Sequence, residues 1–452
     1  MSDLLIVGID VGTTSVKAAV LDLSGREVAH GRAPVPWITV PTGAEIAASD
    51  LLASAVLAAE RALKGAPQGQ VAGVGVASMA ETGVLLDRRG DPVARSIAWH
   101  DSRGAEQVQR LEDTIGTDHF ARRTGLKISA LPSIAKYGWM REHWAQASSG
   151  VRWLSVAEWI VRQLGGEEVA ELSLASRAGW FDLHMRAWWD EALESVAAPA
   201  GLLPDPQLSG TAAGQVRGSV LERTEGAVLS IGGHDHLSAA RGAGAVGDGD
   251  ALDSCGTAEA FVRALPPLSP DDAERAVRTG LSVGWHVVDG MQALLGSTRS
   301  GAALQRILAL LGVSPEARDG LELAVAEGPE DAGGLELLDP DGERMTLAGI
   351  GREPSPALAY RAALEAGARS GAELLVAMAE VAGPVRRLVV TGGWSEGLGA
   401  RAVKARHLGP FIHEPSPYTG ARGAALGAGR AAGLDIDERP LPVGVATDRE
   451  GR

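Results

Sequence analysis

The sequence holds one cysteine, Cys255, among 452 residues, so no intrachain disulfide can form. No basic segment precedes an apolar run at the N-terminus, and a reducing, cytoplasmic setting is expected. Positive charge is also scarce. Lys+Arg number 42 against 57 Asp+Glu, a net charge of −15. That is the wrong sign for neutralising nucleic-acid phosphates, so no nucleic-acid partner is expected. No apolar run reaches ~18 residues, which argues against a helical membrane span and a membrane partner. The motif G-x-x-x-x-G-K-[ST] is absent, so any nucleotide is held by another kind of loop.

What is present is an ordinary globular composition, 45% apolar and 22% charged, long enough for two to four domains at ~100–200 residues each. Three short strand patterns open the chain, Leu4–Asp10, Val16–Asp22 and Glu27–Ala33. A helical stretch at Ala47–Leu63 and an apolar strand at Val71–Ser78 follow, so the class is α/β. Residues 103–200 read mostly helical and contain seven of the eleven tryptophans, expected as core. A second β-rich stretch begins at Val228, and the glycine-rich passage Gly242–Gly249 is the expected boundary or hinge. Beyond it, Asp253–Val262 repeats the theme of Asp10–Ala19, a strand entering a Gly-Thr turn and an apolar strand leaving it. The turn glycines, 12 and 256, lie about half the chain apart, which predicts two similar domains at 1–246 and 247–432 with a tail at 433–452. Helices are expected at Gly301–Leu311, Ala357–Ala382, Gly399–Leu408 and Gly423–Ala432, with a strand at Arg387–Val390.

The turn Asp10-Val11-Gly12-Thr13-Thr14 offers backbone N–H groups, two hydroxyls and a fixed carboxylate. Such a nest suits a phosphate, and the carboxylate suits a Mg²⁺ ion on it. Gly256-Thr257 would face it as the second half of a polyphosphate clamp. Asp235 ends a strand beside two glycines, where a carboxylate can take a proton from a hydroxyl nucleophile. Its neighbours make His234-Asp235-His236, also a pattern for a metal-dependent hydrolase. Glu81, Trp99, Asp101 and Arg103 combine carboxylates, an aromatic face and a guanidinium, which suit a polyol.

The order and spacing of these segments, from about residue 4 to residue 432, resemble the FGGY family of carbohydrate kinases. Ile9-Asp10-Val11-Gly12-Thr13-Thr14 with Lys17 matches the family's first phosphate hairpin. Met79-Ala80-Glu81-Thr82 through Trp99-His100-Asp101-Ser102-Arg103 matches its sugar-binding segment. Thr124-Gly125-Leu126, Ser133, Lys136 and Trp139 fall at its spacing, and Gly233-His234-Asp235 resembles the segment with the catalytic aspartate. Gly256-Thr257-Ala258-Glu259 matches the second phosphate loop, Gly301 and Gln305 a nucleotide-contacting helix start. Gly392-Gly393 and Gly423–Gly427 complete the pattern.

The resemblance implies two actin-like, ribonuclease-H-like domains with ATP and a small sugar or polyol in the interdomain cleft. It implies Asp235 as the base, Asp10 holding Mg²⁺, and Gly12, Thr13, Thr14, Lys17, Gly256 and Thr257 around the phosphates. Gly301, Gln305, Gly392 and Gly393 would line the adenine and ribose pocket, where Gly397 stands in place of the usual asparagine. Glycerol kinases place glutamine and arginine at positions 79 and 80 and tyrosine at 131. Met79, Ala80 and Leu131 stand there, which argues against glycerol. Pentulose kinases carry histidine where Glu81 stands, which argues against xylulose. The stretch after Gly342-Glu343-Arg344 is short for the family. An acidic surface is compatible with a homodimer. An actin-like ATPase switch and a catalytically silent sugar sensor are the alternatives on the same fold; the polyol cluster argues against the first, and intact Asp10 and Asp235 against the second.

Overall fold

Odd and even residues of the strand Leu4–Val11 face opposite ways, and both faces are buried. Leu5, Val7, Ile9 and Val11 enter a large core with the alanines of helix Ala48–Gly65. Ile6 packs with Ala425, Leu426 and Ala428 of helix Thr419–Ala431 on the other face. A strand buried on both faces reads as a continuous apolar run, as this one does. The structure, a computed structural model, describes residues 4–438 apart from 219–220, 257, 315–316, 343 and 352, together with 445–446.

Two compact units emerge. The first comprises Met1–Gly244, Pro266–Ala293 and Tyr418–Leu441, the second Ala245–Leu265, Leu294–Pro417 and Pro442–Arg452. The first unit holds a six-stranded sheet in the order Ala212–Gln215, Val228–His234, Gln70–Ser78, Leu4–Val11, Ser15–Leu21, Glu27–Pro34. The last three strands form an antiparallel meander, while Gln70–Ser78 runs parallel to both Leu4–Val11 and Val228–His234. In the second unit Asp250–Cys255 pairs antiparallel with Glu259–Leu265 and parallel with Arg387–Thr391, which pairs parallel with Phe411–Glu414. Each sheet thus carries a hairpin whose first strand has a parallel neighbour on its far edge. That is the internal repeat expected from the two Gly-Thr turns.

A linear division at 246 falls beside the first crossing, at Gly244, but the chain returns twice to the first unit. The second return has a packing cause. A Cβ placed on Gly8 would lie 1.8 Å from the carbonyl oxygen of Ala421, and one on Gly423 would lie 1.8 Å from that of Ser238. Helix Thr419–Ala431 therefore meets the sheet and helix Asp235–Gly242 backbone against backbone. It starts at Thr419, four residues before the expected Gly423. The expected tail also begins as packed chain: Leu434 and Ile436 join the core beside this helix, and Glu438 pairs with Arg241 at 2.6 Å.

Tryptophans 153 and 180 meet Tyr137 edge to face within the second hydrophobic cluster of this unit, as core residues rather than a ligand box. Gly8→Ala should lower the urea midpoint, at a cost of about 3 kcal/mol, because only backbone can yield. Gly320→Ala, on an exposed helical position with nothing within 4 Å of the new methyl, should raise stability by about 0.5–1 kcal/mol. Equal midpoints for the two variants would contradict this account of the packing.

Candidate functional site

The first hairpin sets Asp10 directly across from Lys17. Helix Thr419–Ala431 closes over the carboxylate, so that a Cβ on Gly420 would lie 2.4 Å from Asp10 Oδ2. Asp10 Oδ1 is buried with no hydrogen-bond partner among the described residues. Burial, and then the charge of Asp235, push this carboxyl up to about 7, against the pull of Lys17. A buried, unpartnered carboxylate oxygen is a hard donor, so the site fits a Mg²⁺ ion. In the turn, Trp37 Nε1 donates to the Thr13 carbonyl (2.6 Å) and Trp99 Nε1 to the Thr13 hydroxyl (2.8 Å). Thr14 is exposed and Gly12 half-buried.

Asp235 opens helix Asp235–Gly242 where strand Val228–His234 ends. Its carboxylate accepts from the His236 backbone N–H (2.8 Å) and lies 3.2 Å from His234 Nε2, with the side chain 18% exposed. Burial opposes ionisation here, but the His236 and His234 imidazoles, the His236 N–H and Lys17 outweigh it and hold the carboxyl below its ordinary range. Asp235 is therefore ionised at neutral pH. Burial, above all, depresses His234 to about 3, so its imidazole is neutral. Ligand atoms of His234, Asp235 and His236 converge within 4.8 Å. Ser173 fixes the segment by accepting the His234 N–H (2.9 Å) while donating to Glu171 (2.6 Å).

The four residues expected to bind a polyol do not share one set of contacts. Asp101 is gripped by Arg103 through Nε (2.9 Å) and Nη2 (2.7 Å), and by the Ala44 N–H (3.1 Å). Arg103 also reaches Glu45 and lies over the Trp139 ring at 4.9 Å. Trp99 is committed to Thr13. Glu81 stands apart in the left-handed region at φ +61, its carboxylate on Arg177 Nε (2.7 Å) and its carbonyl on the Ser133 hydroxyl (3.0 Å). Of the four non-glycine residues with positive φ among those described, it alone is buried. Lys136, buried beside these charges, is depressed to about 8, chiefly by desolvation. Arg177 escaped sequence reasoning, because nothing in its neighbourhood announces a partner 96 residues away.

In the second unit a pocket opens between the hairpin, helix Ser300–Leu310 and helix Pro356–Ala382; Gly256, Glu259, Gly301, Trp394 and Lys404 are among its lining residues. Thr257 lies outside the described residues. Gln305 is exposed and outside this lining. Gly392, at φ +100, lets its loop rest on the Cys255 backbone, and Trp394 N–H donates to Cys255 O (3.3 Å). The exposed Gly393 accepts from Arg318 (3.0 Å). At Gly397 the space of a side chain is taken by Glu322, whose carboxylate receives the Ala400 N–H (2.8 Å) and the Tyr360 hydroxyl (2.6 Å). Gly397 thus serves a helix cap and is outside the pocket lining. Lys404 bonds both Asp253 (2.7 Å) and Glu259, tying the hairpin strands together. Sequence reasoning missed it, although a lysine among alanines in a chain with only five was a signal.

Residues 5–242 match the N-terminal domain of the FGGY family of carbohydrate kinases. The chain is 31% identical to xylulose kinase of Streptomyces coelicolor, over 97% of this chain and 90% of the relative. It belongs to the FGGY family. It is 30% identical to glycerol kinase of Citrifermentans bemidjiense, over 98% of this kinase and 93% of that one. Among solved structures, xylulose kinase from Rhodospirillum rubrum superposes with a TM-score of 0.86 at 24% identity, over 99% of this chain and 94% of the other. This carbohydrate kinase therefore shares the mixed α/β fold of two-domain sugar kinases, and its family implies ATP as phosphoryl donor and a sugar or polyol as acceptor. No helix among its described residues is long and apolar enough to cross a membrane.

The support behind the kinase's Asp235 segment is pH-sensitive. Burial pushes Glu171 up to about 7 from an ordinary 4.5, against hydrogen bonds from Ser173 and Leu174. Between those values the folded protein holds a proton that the unfolded chain has released, so stability falls as pH rises through the window. Glu171→Gln has no such proton to lose. Its melting temperature relative to wild type should rise between about pH 5 and about pH 8. A difference that stays constant with pH would contradict the assignment.

Proposed function

We propose that this kinase transfers the γ-phosphoryl group of ATP to a hydroxyl of a small sugar, ketose or polyol, with Asp235 as general base. The observation that carries the reading is the Asp235 carboxylate at a strand end, held by the His236 N–H (2.8 Å) and ionised in the field of Lys17, with its charge felt by the Asp10 carboxyl. As the acceptor oxygen bonds to the γ-phosphorus, its proton passes to Asp235 and the bond to the β-phosphate oxygen breaks, releasing ADP. Asp10 would hold Mg²⁺, whose charge would offset that of the phosphates. Thr13, Thr14 and the backbone of Gly12 would cradle phosphate on the first hairpin, and Gly256 with Thr257 on the second. Gly301 would line the nucleoside pocket, with the Trp394 ring as a further wall.

The acceptor reading rests on Glu81 with Arg177, and on Asp101 with Arg103. Xylulose and glycerol kinases are its relatives, and both belong to the polyhydroxy class proposed. Met79 and Ala80 are buried and Leu131 half-buried, so at these three positions no hydroxyl finds a side-chain hydrogen-bond partner. That favours an acceptor other than glycerol.

ADP release with MgATP should rise above the acceptor-free rate for at least one member of a panel of pentuloses, hexuloses, polyols and sugar acids. No response from any member would overturn the reading. Asp235→Asn should lower kcat by about 10²–10⁴-fold while MgATP affinity persists. Because His234, Asp235 and His236 converge, a zinc-dependent hydrolase is the competing reading. Removal of zinc by a chelator, followed by added Mg²⁺, should leave turnover intact; strict zinc dependence would favour the competitor.

A further inference from the structure

Both oxygens of Thr13 are acceptors for tryptophan. Trp37 Nε1–H occupies the carbonyl at 2.6 Å and Trp99 Nε1–H the hydroxyl oxygen at 2.8 Å. An indole N–H can only donate, so at that contact the hydroxyl can only accept. Its own proton must point elsewhere, and no described residue receives it. Both tryptophans are half-buried, packed against the core of the first unit, and the His100 ring stands edge-on to each, at 5.2 Å from Trp99 and 6.3 Å from Trp37. The contact is built into the fold, since Trp99 lies 86 residues from its partner.

We propose that Trp99 is a positioning residue for the phosphate hairpin. Its indole N–H takes one lone pair of the Thr13 hydroxyl and turns the hydroxyl proton away from the indole, so that Thr13 meets the nucleotide with its O–H free to donate. Ionised phosphate oxygens only accept, so the hydroxyl is oriented for them before they arrive. The inference deepens the reading that the 10–14 hairpin takes nucleotide phosphate and rests on it. It gives Trp99 a duty distinct from an aromatic plate for a sugar, which a phenylalanine would fill as well. Trp99 is also two residues from Asp101, so this hydrogen bond joins the segment that holds the Asp101–Arg103 pair to the phosphate hairpin.

The test is calorimetric titration of the full-length chain with Mg²⁺ and a non-hydrolysable ATP analogue. Wild type, Trp99→Phe, Thr13→Val and the double variant are compared. Trp99→Phe should weaken Kd about fivefold and Thr13→Val about tenfold, with the double variant no weaker than Thr13→Val alone. AMP, which lacks the β- and γ-phosphates, separates a lost phosphate contact from general loosening: its affinity should be the same in wild type and Trp99→Phe. An unchanged Kd in Trp99→Phe beside a weakened Thr13→Val overturns the role of Trp99 and leaves the nucleotide reading standing. Losses that add in the double variant, or a parallel loss for AMP, overturn it as well. An unchanged Kd in Thr13→Val removes the Thr13 hydroxyl from the nucleotide site and overturns the role of Trp99 with it.

Discussion

The first unit depends on one close approach, the backbone of helix Thr419–Ala431 against strand Leu4–Val11 and helix Asp235–Gly242. Only hydrogen at Gly8 and Gly423 permits it, because any Cβ there would meet a carbonyl oxygen at 1.8 Å. Two chemical groups take their positions from this contact. Gly420 leaves the space that the Asp10 carboxylate fills, and its carbonyl accepts from Ser238 (2.9 Å), one turn into the helix that Asp235 opens. A segment that enters the chain 182 residues after Ser238 thus registers both carboxylates. That is why it belongs to the first unit despite its place in the sequence.

With position settled, surroundings drive the titration of the two acids apart. Asp10 loses water and sees the negative charge of Asp235, so it gives up its proton only at about 7, and its Oδ1 has no hydrogen-bond partner among the described residues. Asp235 loses water too, but two imidazoles and a backbone N–H face it, and it stays ionised. Two titratable groups driven apart by their environments are the pattern of a site with separate roles. A base for a hydroxyl proton must be ionised before the reaction starts. A group that exchanges its proton for a cation need not be. Lys17 acts on both, and so lowers the cost of keeping them near one another.

Local chemistry was legible in the sequence, and remote partnership was not. Period-two and continuous apolar patterns placed Leu4–Val11, Ser15–Leu21 and Gln70–Ser78 within a residue or so, and the two Gly-Thr turns announced the repeated hairpins. The expected helix at Gly423–Ala432 falls short of the true start at Thr419 because the first turn carries Gly420, a weak helix former kept for packing. Arg177 on Glu81, Glu322 under Gly397 and Lys404 between two hairpin strands are pairings across 96, 75 and 145 or more residues, set by tertiary packing alone. Trp99 was legible as a candidate for the site, but an aromatic ring in a sequence does not say whether its face or its N–H is in use.

The same division bears on how one scaffold can change acceptors. The segment after strand Gln70–Ser78 is tied to the first hairpin through its backbone, Met79 N–H to Val11 O at 2.9 Å. Substitutions at positions 79 and 80 therefore leave that tie intact. Glu81 follows in a conformation that costs an ordinary residue about 1–3 kcal/mol, held there by Ser133 on its carbonyl and Arg177 on its carboxylate. Those two anchors reach it from elsewhere in the unit, and neither hydrogen-bonds the hairpin among the described residues. The direction of the Glu81 carboxylate is thus set independently of the phosphate hairpin. Under the proposed roles, Trp99, bonded to Thr13, joins the segment of Asp101 and Arg103 to the phosphate hairpin, and acceptor preference would be free to drift around Glu81 while that contact is kept.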